Sequence, residues 1–593
     1  MSVTEEYARR LEAREAEVAG FTQLHERIGG LRVALGAVAL AVAWAAFLDR
    51  ACNPLWVLVP AGALAALIFH HASVRRLRSR AERAAAYYRQ RIARLEDRWA
   101  GLGQPGDRFA SPSHLYADDL DLFGKGSLFE LLSAARTRMG EDTLAHWLLA
   151  PAASLADIRA RHASVVDLRD RLDLREELAV LGEDPQVGVQ PQALLGWAEA
   201  PNELPRRWLP ALALVLPVLA LAAAVVWSIW GLAVPFVLVV LVEALVIHAV
   251  KAPLAQAIYG SESAFADLKL FAELLIRIER TSFDAARLQD LAHRLSSHTL
   301  TASATIGRLA RVVDYADARN NPFLRMLDTP LMYSVHVALA AERWRREHGK
   351  VVRQWVEALG EFEALSSLAG YSYEHPLDPF PDIVEGPAVF IATELGHPLL
   401  AAAKCVRNNV TIEGTTRVLL VSGSNMSGKS TLLRTVGINT VLAMAGAPVR
   451  ASHLRLTPLQ VGASIRVNDS LHEGSSRFYA EITRLRALHV LLGRERPLLF
   501  LLDELLQGTN SRDRLTGAEG IVRAFVASGA IGLVSTHDLA LADIGGLAPG
   551  ALRNVHFQDE LVEGRMRFDF TLRDGVVTKS NGIELMRAIG LEV

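Results

Sequence analysis

Residues Gly423 to Thr431 read GSNMSGKST, directly after the apolar run Val418 to Val421. The spacing is G-x-x-x-x-G-K-[ST], in which the two glycines let the backbone turn so that successive N–H groups face a phosphate. On this pattern Gly423, Ser424, Asn425, Met426, Ser427, Gly428, Lys429, Ser430 and Thr431 bind nucleotide phosphates. Lys429 reaches the β- and γ-phosphates, and the Ser430 hydroxyl ligates Mg²⁺. A second cluster follows in LLFLLDE (498 to 504), where two acids end a run of five apolar residues. Asp503 would hold Mg²⁺, directly or through water, and Glu504 would polarise an attacking water as general base. The run AIGLVSTHD then puts Thr536 and His537 at a further strand end, where a histidine contacts the γ-phosphate or the water. The catalytic candidates are therefore Glu504, His537 and Lys429.

These residues work only if the chain presents them together. Val418 to Val421 reads as a buried strand, and STLLRTVGINTVLAMAG after it reads as a helix. Strand, glycine turn and helix is the context the loop needs. Carboxylates at a strand's C-terminal end sit where open α/β sheets bind ligands. The spacing thus predicts a C-terminal α/β P-loop NTPase domain.

GSNMSGKST resembles the phosphate loop of the MutS DNA mismatch-repair ATPases, in which an Asn-Met pair sits inside the loop. The rest follows in family order. VGASIRVNDSLHEGSSRFYAEI resembles the family's serine signature, with Ser476, Phe478 and Glu481. LLDELLQGTNSRDRLTGA resembles its acidic strand and following loop, with Gly508, Thr509, Ser511 and Asp513 matching. STHD resembles its histidine motif, and KSNGIELMRAIGL its closing segment. Gly126 to Pro151, GSLFELLSAARTRMGEDTLAHWLLAP, is similar to the start of the family's helical core-and-lever domain. The resemblance implies ATP and Mg²⁺ as cofactors and a homodimer in which Ser476 reaches the partner's nucleotide. Read from the residues alone, Ser475 and Ser476 cap the helix that begins near Phe478.

Three departures stand out. Cys405 or Val406 occupies the place where the family stacks adenine on an aromatic ring. The loop's usual Gly-Gly is Ser427-Gly428. No counterpart of the mismatch-reading domain, with its Phe-x-Glu wedge, or of the C-terminal helix-turn-helix extension is expected.

The remainder reads as membrane. The chain is 593 residues long and 51% hydrophobic, and its mean hydropathy of +0.20 is high for a soluble protein. The cause is local: residues 33 to 48, 55 to 69 and 208 to 227 carry no charge, and 231 to 250 carries only Glu243 and His248. About 20 helical residues span a hydrocarbon core of roughly 30 Å. The second pair meets that length, and the first is short at about 16 residues each. Arg32, Arg75, Arg76, Arg78, Arg80 and Arg83 flank the first pair, and Arg206, Arg207 and Lys251 the second. The positive-inside rule then places both termini and the ATPase domain in the cytoplasm of a multi-pass membrane protein. Trp208, Trp227 and Trp230 fall at interfaces, and the arginine cluster faces anionic headgroups. Glu243, inside the fourth segment, is read as a helix-pairing or a transport residue. Cys52 and Cys405 fall on opposite sides, which excludes an intramolecular disulfide, and no His/Cys cluster has zinc spacing.

The fold class is therefore multi-domain: a C-terminal ABC/MutS-type domain, an all-α core and lever domain, and two transmembrane helical hairpins. The expected order is an N-terminal helix (1–30), hairpin 1 (31–72), a basic helix and Pro/Gly/Asp-rich linker (73–125), helical core (126–205), hairpin 2 (206–250), core and lever (251–380) and ATPase domain (381–593). Lys+Arg number 63 against 65 Asp+Glu, so no global basic excess supports DNA as a partner, although the resemblance brings it. The leading reading is a membrane-anchored MutS-like ATPase with membrane lipids as partners. The alternatives are an ABC-type transport ATPase, against which the Leu-Ser-Gly-Gly signature is absent, and a nucleotide-gated membrane scaffold.

Overall fold

The computed structural model describes residues 2–577, apart from 153, 182–190, 202–203, 205–207, 260–267, 297–300, 319–320, 425, 467–476, 495, 508, 538, 543, 545–546 and 563–564. Two compact units result: residues 1–102 with 171–183, and residues 103–170 with 184–593.

The first unit is a pair of long helices, Val3–Phe47 and Leu58–Leu95, with the short helix Leu172–Val180 packed on the second. Ser2 starts the first helix in a capping box with Glu5, satisfying donors that a helix N-terminus otherwise leaves open. At about 1.5 Å per residue its 45 residues run some 68 Å. The charged and apolar segments that the sequence separates at residue 30 are thus one continuous helix. Near its start a polar cluster ties the unit together: Tyr88 donates to Glu176 (2.5 Å), and Arg14 pairs with Glu176 at 2.7 Å. At the far end the helices cover almost nothing; Leu40 is 74%, Phe47 62% and Phe69 78% exposed.

In the second unit the 42-residue helix Tyr333–Glu374 is the axis. Helices Arg138–Leu149, Leu155–Arg169 and Ala286–Ser296 pack against it. Gly140 and Gly360 permit this contact: a Cβ on Gly140 would fall 2.5 Å from Glu363 Oε2, and one on Gly360 2.8 Å from the Met139 carbonyl. A second apolar hairpin, Leu209–Trp230 and Val234–Ala249, turns at Gly231 (φ +73°). By length and composition, three described helices suffice to cross a membrane, or four if Val234–Ala249 is joined to Lys251–Ala257 across a 65° bend.

Residues 101–125, read above as a linker, are instead packed structure from Gly103 on. Tyr116, Leu120 and Leu122 are buried, and Ala463 N–H donates to the Leu115 carbonyl at 2.9 Å. Proline and glycine in this stretch predict a lack of regular secondary structure, which does not imply a lack of burial.

The C-terminal part is α/β. A four-stranded sheet (Asp382–Ile383, His453–Leu456, Phe390–Leu395, Asn408–Ile412) precedes a six-stranded one. The order in the latter is Arg565–Asp574, Leu552–Val562, Val418–Ser422, Ile531–Thr536, Leu498–Leu502, Gln460–Ser464. All its neighbours are parallel except the first pair. Strands 418–422, 498–502 and 531–536 are buried throughout, as expected where a parallel sheet is covered on both faces.

Candidate nucleotide site

Strand register assembles the site. Ser422 lies opposite Thr536, and Leu502 opposite Val534. The residues that follow, Gly423, His537, Asp503 and Ser535, therefore emerge side by side at one sheet edge. The hydrogen bonds obey that register. His537 Nδ1 lies 3.2 Å from the Gly423 carbonyl, and its Nε2 contacts the Glu504 carboxylate. Ser535 donates to Asp503 Oδ1 and accepts from the Glu504 N–H at 3.1 Å. Gln507 donates to Glu504. Glu504 and Leu506 both take left-handed φ (51° and 57°), a conformation non-glycine residues adopt at a cost of order 1–3 kcal/mol. What holds it is Glu481, buried on helix Arg477–His489, which accepts from the Leu506 N–H at 2.6 Å.

The loop after strand 418–422 turns through Gly423 (φ +150°), Met426 (φ +66°) and Gly428 (φ +105°) into helix Lys429–Ala445. A Cβ on Gly423 would meet Ser427 Oγ at 2.8 Å, so the serine standing where the family has glycine adds a second reason for Gly423. The Lys429 ammonium donates to the carbonyls of Gly423 (3.0 Å) and Ser424 (2.7 Å). Burial lowers its pKa, while Glu504, Asp503 and Asp559 act the other way. Ser427 Oγ is buried without a hydrogen-bond partner. An orphaned hydroxyl and a buried ammonium over a turned backbone fit a phosphate chain. Ser430 and Asp503 are a hydroxyl and a carboxylate, oxygen ligands of the kind Mg²⁺ takes. Thr431 follows Ser430 in the first turn of the helix. Asn425, Gly508 and Ser476 lie outside the described residues.

Two spaces open off this edge. One is an open cleft of about 660 Å³ lined by Glu504, Gln507, Arg512, Arg514, Thr536 and His537. The other is a cavity of about 200 Å³ on the far side of Gly428, lined by Leu395, His397, Cys405, Val406, Phe557 and Phe570 among others. Cys405 and Val406 line this cavity, and two aromatic rings, Phe557 and Phe570, line it with them. Phe570 occupies an irregularity in the pairing of strands 552–562 and 565–574, with φ +54°. Asn408 holds it from the other sheet, donating to the Phe570 carbonyl (3.0 Å) and accepting from the Leu572 N–H (2.7 Å). Burial pushes His397 down to about 4, so at neutral pH it lines the cavity uncharged. The sequence reading missed Ser535, Phe557 and Phe570. The alternating apolar residues in MRFDF were the available signal for the last. Asp513, matched above to the family loop, is the capped residue in the first turn of helix Ser511–Ala527: its N–H donates to the Oδ1 of the N-cap Asn510 at 2.9 Å.

Comparison with known proteins agrees with this architecture. The family model "MutS domain V" matches residues 419–592, and "MutS domain III" matches 115–187. The DNA mismatch repair protein MutS 2 of Halobacterium salinarum is 33% identical over 261 residues, 43% of this chain and 28% of that protein. The DNA mismatch repair protein MutS of Brevibacillus brevis is 31% identical over 262 residues, 43% of this chain and 30% of that protein. The chain thus spans less than a third of the length of these curated relatives. The two domain models match in family order and the nucleotide site lies within the domain V match, so residues 115–187 and 419–592 are MutS-family domains III and V.

Proposed function

We propose that the chain is a membrane-anchored, MutS-like ATP hydrolase whose C-terminal domains pair across bound nucleotide. The observation that carries this is the meeting at one sheet edge of the turned loop 423–428, the Asp503–Glu504 pair and His537. Lys429 and the loop N–H groups would hold the β- and γ-phosphates of ATP. Asp503 and Ser430 would hold Mg²⁺, which when bound neutralises phosphate charge. Glu504 would take the proton of the attacking water, its carboxylate aimed by His537 and Gln507. Phe570 and Phe557 would receive the base. Ser476 would complete the partner subunit's site, making a homodimer the working unit.

Membrane anchorage is supported by the exposed apolar ends of both hairpins and their arginine-rich flanks. It places lipids among the partners and the ATPase domain on the cytoplasmic side. Mismatch repair is what the relatives' names bring, and the near-equal charge count does not by itself support DNA contact. The test is ATP hydrolysis by the detergent-solubilised protein, with and without duplex, branched and single-stranded DNA. Phosphate release that is lost in Lys429→Ala supports the hydrolase. Salt-dependent stimulation by one DNA form supports the repair role, and its absence with all three removes it.

A further inference from the structure

The second apolar hairpin packs along a seam. On helix Val234–Ala249 the inward positions include Phe236, Val240, Glu243 and Ile247; on helix Leu209–Trp230 they are Ala213, Leu216, Ala220 and Ala223. Trp227 meets Phe236 at the turn, ring centroids 5.6 Å apart. Counting seven residues from that contact along each antiparallel helix puts Glu243 level with Ala220. Outer positions of the same helix, such as Leu241 at 55% and Leu245 at 61%, are open. Glu243 is the exception in both respects: it is 0% exposed, and neither carboxylate oxygen has a hydrogen-bond partner.

We propose that Glu243 is a proton-binding site inside the membrane, a carboxylic acid kept in the hairpin seam. This rests on the membrane reading above. An ionised carboxylate in hydrocarbon with no partner is costly by several kcal/mol, and the neutral acid much less so. The helix packed against it, LPALALVLPVLALAAAVVWSIW, has no ionisable residue. On its own helix the nearest is His248, five positions on and exposed, followed by Lys251 past the bend. The apolar segments of the first hairpin supply no cation. A basic side chain from another protein has no route to oxygens the hairpin itself covers. A metal ion needs several oxygen ligands, and alanines offer none. A proton needs one.

Carbodiimide chemistry reads this directly. The reagent adds across the acid's O–H: the carboxyl oxygen bonds to the central carbon and the proton goes to nitrogen. The acyl group then migrates to nitrogen as an N-acylurea, and nothing leaves. Only the protonated acid starts the reaction. The full-length protein in phosphatidylcholine vesicles, washed with alkaline carbonate, is treated with dicyclohexylcarbodiimide or with a water-soluble carbodiimide, and its peptides are weighed. The expected result is an adduct at Glu243 with the hydrophobic reagent, at least ten times slower with the soluble one. Its rate should fall roughly tenfold per pH unit on the alkaline side. Glu243→Gln should lack the adduct, and Glu243→Asp should recover part of it. Protein retained by the washed vesicles but unmodified from about pH 6 to about pH 9 overturns the proposal and leaves the membrane reading standing. Equal labelling by both reagents places the acid in water and also overturns it. Release by carbonate sinks both.

Discussion

Glu504 and Phe570 share an unusual property: each is a non-glycine residue held at positive φ, 51° and 54°. Each also stands at one end of the nucleotide site, the acid beside His537 and the ring beside Gly428. Such conformations persist where the surroundings over-determine them, here Glu481 through Leu506 and Asn408 through the bulged strand. If Glu504 is the base, Glu504→Gln should lower kcat by about 10²- to 10⁴-fold while ATP still binds; equilibrium binding of a fluorescent ATP analogue alongside turnover separates the two. If Phe570 carries the base of the nucleotide, Phe570→Ala should raise KM for ATP roughly tenfold or more and spare kcat, since one stacked base is worth about 1–3 kcal/mol. An unchanged KM would assign the ring to the strand bulge alone. The phosphate loop, Asp503, Glu504 and His537 were legible in the sequence because each is set by a contiguous strand-and-turn pattern. Phe570 was not: its place depends on an irregular register and on Asn408, 162 positions away in the chain. Ser535 escaped notice because a serine at a strand end carries no signal until Leu502 is known to pair with Val534.

Two contacts tie elements of the second unit together, one at the edge of the sheet and one between helices. Asp119, fully buried, accepts from the N–H groups of Ile465 (3.1 Å) and Arg466 (2.6 Å) and from the Arg484 guanidinium (2.7 Å). Asp121 beside it pairs with Arg434 on the helix after the phosphate loop (3.0 Å) and with Arg466 (2.6 Å). Removing one partner of a buried pair strands the other, so Asp119→Ala should cost about 3–5 kcal/mol in urea unfolding. The second contact is Glu363, on the long helix, which accepts from the Arg136 N–H (2.9 Å) and the Thr137 hydroxyl at the start of helix Arg138–Leu149. Burial pushes this carboxyl up to about 7, with the hydrogen bonds opposing. The folded value lies above the ordinary one, so its contribution is full below about 4.5 and is lost as pH rises through about 7. His397 and His162, each pushed down to about 4, act oppositely, losing stability as pH falls. The Glu363→Gln difference isolates the glutamate: wild-type Tm should decline relative to the variant between about pH 5 and pH 8. Met139-Gly140 was visible in the sequence as a resemblance; its reason, the closeness of Glu363, was not.

Over the whole chain, the sidedness that the proposed membrane anchorage requires is open to a direct check. Local composition could find these helices because each is a long uninterrupted apolar run in its own stretch of sequence. It could not find that the first charged stretch and the first apolar stretch are one helix, Val3–Phe47, since Gly29-Gly30 at the junction reads as a break and the helix runs through it. The chain supplies its own reporters, two cysteines, both free: Cys52 in the turn between the first two long helices and Cys405 beside the base cavity. Arginines crowd the other end of that hairpin, and its turn carries only Arg50, so the positive-inside rule puts Cys52 outside and Cys405 in the cytoplasm. A membrane-impermeant maleimide applied to intact cells should label the wild type and Cys405→Ser equally and Cys52→Ser not at all. Permeabilisation should then expose Cys405. Labelling of Cys405 in intact cells would invert the topology and put the nucleotide site where cytoplasmic ATP does not reach it. Silence at Cys52 before permeabilisation, with labelling after, would mean that the first hairpin does not carry its turn across the membrane.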